Sequence, residues 1–302
     1  MNGLLKNMDG DKINKLDEML RNGTLDRETY DEIVGRWNSK ADSASTGSKQ
    51  AQYDPTGRQR SGRVRISGFG NLSDVFAHEL SISGAGTVEG PVDSDIIHIS
   101  GSGKINGNVK SSESLEVSGS ARIEGPIEAN DIEASGFLSA QDIRCKSLES
   151  SGSMRVSGSI VSDVVECSGM LESKSLDAGT IKSSGSLKTE NVRGNEIFIS
   201  GKINSDQVNC KRFEMETYGE SSRIGDLNSD IVGIKRQRWR FFSGGSVHIE
   251  KIKCNRGNFE GVKSKHISGD ELNFGDGCEI EYAEGKTIRE SDGARIKEKK
   301  FL

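Results

Sequence analysis

The sequence predicts a mainly β protein: a three-sided parallel β-helix solenoid with a small helical hairpin ahead of it. Three observations predict this. Nine Ser-Gly pairs recur at intervals of 16 to 18 residues, with glycines at Gly68, Gly84, Gly101, Gly119, Gly136, Gly152, Gly169, Gly185 and Gly201. Four positions before each glycine stands an apolar residue, Val64 and then the core row Leu80, Ile97, Leu115, Ile132, Leu148, Val165, Ile181 and Ile197. Later repeats add apolar residues at steps of five, as in Leu138, Ile143, Leu148 and Leu187, Val192, Ile197. So short a period marks a unit that cannot bury its own apolar face and must stack on copies of itself. Three inward rows per period mean three faces, each a short strand with alternating side chains.

In chain order, residues 1–37 read as a helical hairpin. Ile13, Leu16 and Leu20 recur at helical spacing, Gly23 ends that helix, and Asp26 caps a second with Tyr30, Ile33, Val34 and Trp37. Residues 38–62 are polar with almost nothing to bury, a flexible linker. Residues 63–215 hold the regular repeats. Residues 216–302 lose the marker but keep the steps of five in Val247, Ile252, Val262, Ile267 and Leu272, with Ile224, Leu227, Ile231 and Ile234 before them. This is an irregular continuation, bringing the coil to about a dozen turns, and Cys278, Ile280, Tyr282, Ile288 and Ile296 supply a closing strand set.

Within a repeat, the position two before the glycine reads as a corner and not a core row, because Ser150 and Ser183 interrupt an otherwise apolar series. The glycine itself is expected to meet a demand for positive φ. Earlier repeats place Val88, Ile105 and Ile123 four residues after the glycine, and Val109 and Ile127 four further on, a different register whose slack falls in the turns.

Composition bounds the function. With 32% hydrophobic residues, 37 glycines and three prolines in 302 residues, the chain suits a thin rod better than one large core. A net charge of −5 argues against nucleic acid as a general partner. No apolar run is long enough to span a bilayer and no secretion signal opens the chain, so the expected place is cytoplasmic, with peripheral membrane association as an added expectation. Cys145, Cys167, Cys210, Cys254 and Cys278 show no metal or redox spacing. Cys145 and Cys210 sit four turns apart, about 19 Å at the strand spacing, too far for a disulfide.

No catalytic, cofactor-binding or metal-binding residue is assigned, no cofactor is expected, and no small-molecule substrate is expected. His98, between Ile97 and Ile99, should face outward, and His78, His248 and His266 share no motif. Acidic residues such as Glu89, Glu124, Asp142 and Asp177 alternate with lysines like a solvated surface. One segment stands out: Lys235, Arg236, Arg238, Trp239, Arg240, Phe241 and Phe242 interleave four cations with three aromatics. Its plain reading is a loop whose aromatics pack on the rod. Its functional reading is a patch for an anionic membrane surface or another partner.

The stretches Val64-Arg65-Ile66-Ser67-Gly68, Leu80-Ser81-Ile82-Ser83-Gly84 and Leu115-Glu116-Val117-Ser118-Gly119, within residues 63–210, resemble the bactofilins, a polymer-forming cytoskeletal family. Residues 16–33 resemble a small two-helix module associated with oligomerisation. The bactofilin resemblance implies a right-handed coil and a non-enzymatic structural scaffold that self-assembles into homo-oligomers or filaments, often at a membrane. Two alternatives remain: a monomeric β-helical binding platform with capped ends, and a solenoid enzyme acting on sugars or acyl donors. The left-handed acyltransferase rhythm is met by one interval alone, Gly101 to Gly119.

The register makes a direct prediction. Ile197→Lys puts an unpaired charge in the central row and should cost at least about 2–5 kcal/mol, with several turns frayed. An unchanged thermal unfolding midpoint would contradict this register.

Overall fold

The computed structural model describes residues 62–217, 221–236 and 246–302. Among them, 23 strands form one sheet that pairs in parallel and winds into a β-solenoid of about 14 turns, without a helix. The expected hairpin and nearly all of the linker lie outside the described residues. Asp131–Ala134, Phe137–Ala140 and Ile143–Arg144 form the first, second and third faces of one turn. Later turns run as single bent strands, such as Met170–Ser183 and Ser186–Ile199.

Each face carries an unbroken inward column. On the first, Val64 pairs with Leu80, Leu80 with Ile97, and so on past Ile197 to Phe213, Val232, Gly257, Leu272 and Ile288. Leu80 through Ile197 are 2% exposed or less. At Gly257 the column lacks a side chain, and the Phe259 ring takes the space, standing 2.3 Å from where a Cβ would lie. Phe259 in turn stacks on Phe274, ring centres 5.4 Å apart.

The marker glycines act by a different cause from the one expected. None has positive φ; among the described residues only Gly62, Gly261 and Gly277 do. The cause is contact between turns. The carbonyl of Gly119 accepts the Phe137 N–H at 2.8 Å, and that bond aims the oxygen at the Cα of Gly136. A Cβ on Gly136 would lie 1.9 Å from this oxygen, and the same clash, at 1.9 to 2.2 Å, recurs at every marker from Gly84 to Gly201. Gly68, at the start of the stack, has nothing within 4 Å of its Cβ position.

Two further expectations are corrected. The position two before the glycine is a core row: Ser150 and Ser183 are 1% and 2% exposed, between Ala134, Cys167 and Ile199. The two registers are also one. Leu138 sits on Ala121 and Phe137 on Ser120, so the chain has not slipped; what moves is the bulk.

That movement is a size exchange across the corner. Where the residue before the corner is Ile66, Ile82 or Ile99, the one four positions later is Gly70, Gly86 or Gly103. Where it is Ala134, Ser150, Cys167 or Ser183, the later one is Leu138, Met154, Leu171 or Leu187. A Cβ on Gly86 would meet Ile66 Cδ1 at 2.8 Å and Ile82 Cγ2 at 3.1 Å, so the two positions share one volume. Such volume-conserving exchange is what close-packed interiors tolerate. Buried serines elsewhere serve the third corner: Ser111 Oγ donates to Asp95 and Ser114 carbonyls, and Ser162 Oγ to those of Lys146 and Val164.

Past Met215 the apolar columns continue with altered membership. Val232, not Ile231, is buried, and Ala283, not Tyr282, faces the core while Tyr282 packs edge-on against His266.

Alanine at Gly136 and at Gly68 should therefore behave differently. Gly136→Ala should cost about 3 kcal/mol or more, and Gly68→Ala should stay within about 0.5 kcal/mol, both read by urea unfolding. Equal costs would restore a conformational cause.

Candidate functional site: the ends and faces of the coil

The two ends of the coil differ in chemistry. In the first turn, Val64 and Leu72 are half-buried, Ile66 is buried, and Phe69 is 89% exposed. Its strands Arg63–Ile66 and Phe69–Leu72 find ladder partners on one side only among the described residues. The last turn carries charge into the core columns. Lys299 falls beneath Ala283 in the column of Ile252 and Ile267, and Glu290 falls beneath Phe274. Lys299 Nζ and Glu290 Oε1 pair with each other across the end of the core. The final strand Arg295–Phe301 is mostly exposed and rich in lysine, and it ends on Phe301, 65% exposed, beneath Gly285. Inward charges and lysines on an edge strand are devices that block strand addition.

The sides carry ladders of ion pairs between residues one turn apart. Examples are Arg63 with Glu79 at 2.7 Å and Lys263 with Glu279 at 2.9 Å. Glu172 accepts from both Lys188 and Arg155, which hold its carboxyl below the usual range. Glu279 is lowered by Lys263 in the same way. Asp142 is not surface filler: the backbone N–H and hydroxyl of Ser159 donate to its Oδ1 at 2.7 and 2.8 Å and lower its pKa, so it ties one corner to the next turn. His78 pairs with Asp95 and His98 with Glu116, each with a half-exposed ring.

The five cysteines are free, four buried and Cys210 partly so. Burial raises all five thiols, Cys210 to about 11 and Cys254 to about 12, which keeps them protonated and unreactive. No group of acidic, cysteine and histidine residues suited to a metal ion occurs among the described residues. No helix among them is long and apolar enough to cross a membrane. In the basic-aromatic segment, Lys235 is exposed, while the Arg236 side chain lies against the corner at Gly261 and Gly277. Arg238, Trp239, Arg240, Phe241 and Phe242 lie outside the described residues.

Sequence reasoning missed two features of this surface. Lys299 is found only by counting sixteen residues on from Ala283. Glu116, Glu133, Glu149 and Glu166 each stand three before a marker glycine, a signal present in the repeat but passed over among scattered acidic residues.

Fold and surface define a parallel β-solenoid whose distinctive chemistry sits at its ends and along its faces. Residues 55–141 match the family model of the bactofilins, described as polymer-forming cytoskeletal. No curated protein and no solved structure matches the chain. The matched stretch is the amino-terminal part of the coil, and the later turns continue its ladder.

Proposed function

We propose that the protein is a non-enzymatic structural scaffold that associates with its own copies through the β-helix, open at the amino-terminal end of the coil and closed at the other. The observation that carries this reading is the asymmetry of the ends. The first turn, inside the family match, offers apolar residues and strand edges; the last also bares a strand edge and Ile288, Ile296 and Phe301, but sets Lys299 and Glu290 among them, where a stacked copy would need apolar side chains. An open solenoid end favours stacking on another. Burying that ion pair beneath a second copy would strip water from both charges, a penalty that their attraction offsets only with good geometry.

Electron microscopy and sedimentation velocity over a wide concentration range test the proposal. The wild type should form particles longer than one coil at high concentration. Val64→Lys with Phe69→Lys should reduce them to single coils with unchanged far-ultraviolet circular dichroism. Glu290→Leu with Lys299→Leu should lengthen them by opening the closed end. Single coils of wild type at every concentration would overturn the reading.

A further inference from the structure

Ladder neighbours on this coil mostly carry opposite charges. On the third face Asp93 stands on Lys110, Lys110 on Glu128, and Glu128 on Arg144; further along, Asp177 stands on Arg193. The other two faces break the rule within the same few turns. On the first face Glu116, Glu133, Glu149 and Glu166 stack directly on one another, about 4.8 Å apart. All four are exposed. His98 pairs with the first and Lys182 with the last, at 2.9 and 2.8 Å, while no ion pair is formed by Glu133 or Glu149 among the described residues. On the second face Lys104 stands on Arg122, again like on like, with Arg155 two turns further on. Exposed Met170 and half-buried Phe137 lie in the outward column beside these cations.

Like charges directly opposite in a ladder destabilise the strand pair. The coil carries this cost twice, with opposite signs, on two faces that share the Ser-Gly corner. We infer that the acidic first face of one copy docks side by side on the basic second face of another. The occupant is a second copy because both ladders have the same rise per turn: whatever matches one column in spacing and sign is present on the molecule itself. Contact between two first faces, or between two second faces, would set like against like. The contact is therefore heterologous, and each docked pair still presents one free acidic and one free basic face, so growth sideways stays open. Exposed Arg122, Arg155 and Met170, with half-buried Phe137, suit the contact, since interfaces are enriched in Arg, Phe and Met. The inference rests on the scaffold reading in taking a second copy as occupant, but it concerns the sides of the coil and not its ends.

The test uses the full chain, with width and length of particles measured separately by electron microscopy and mass by sedimentation velocity, in about 50 mM and about 500 mM NaCl. Wild type should show laterally paired coils at low salt that separate at high salt. Glu133→Lys with Glu149→Lys, and separately Lys104→Glu with Arg122→Glu, should each abolish lateral pairing, and an equimolar mixture of the two variants should restore it. Glu133→Gln with Glu149→Gln should weaken pairing and raise the thermal midpoint of the isolated coil by relieving repulsion; it replaces the reversal if that variant does not fold. Lateral pairing that ignores salt, an unpaired wild type at low salt, or a mixture that stays apart would overturn the inference. Loss of length with width retained would count against the end contact alone.

Discussion

The fold depends on one close approach. At the Ser-Gly corner, the glycine carbonyl of each turn accepts an N–H from the turn after it and so points at the next marker glycine. With 1.9 to 2.2 Å between that oxygen and the place of a Cβ, only glycine lets the turns close to strand spacing. Because the approach repeats from Gly84 to Gly201, every face inherits a common register, and the inward columns stay unbroken. The constraint lies between turns, so its first member, Gly68, is free of it.

That relation explains what could be read from the sequence and what could not. The marker and its apolar partner four residues earlier, Leu80 to Ile197, were legible because each repeats in every turn. The reason for glycine was not, because a clash between residues 16 to 18 apart leaves the same trace as a strained turn. The polarity of Ser150 and Ser183 suggests a corner and not a core row, yet they are the small halves of a volume whose large halves are Met154 and Leu187. Ile231 and Tyr282 misled because each adjoins a second apolar residue, Val232 or Ala283, and the pattern alone does not say which faces in. The hairpin, nearly all of the linker and the core of the basic-aromatic segment fall outside the described residues.

The same register turns single residues into surfaces. A glutamate three before the marker would be unremarked once; in Glu116, Glu133, Glu149 and Glu166 it becomes a stripe of one sign along the rod. Lysine at position 299 would be an ordinary surface residue elsewhere, but beneath Ala283 it ends the core. The stretch that matches the polymer-forming family lies in the amino-terminal part of a coil whose far end carries the Lys299–Glu290 pair. On this account extension and bundling are separate properties: apolar contact at one end governs length, and salt-sensitive contact between faces governs width.

The most direct measurement is a cryo-electron microscopy reconstruction of the assembled wild type at low salt, at a resolution that traces the strands. Neighbouring coils should be joined with Glu133 and Glu149 of one copy facing Lys104 and Arg122 of the next, and the Lys299 end should be free of contact. A reconstruction in which copies join through the Lys299 end, or in which the glutamate stripe faces solvent throughout, would contradict this arrangement.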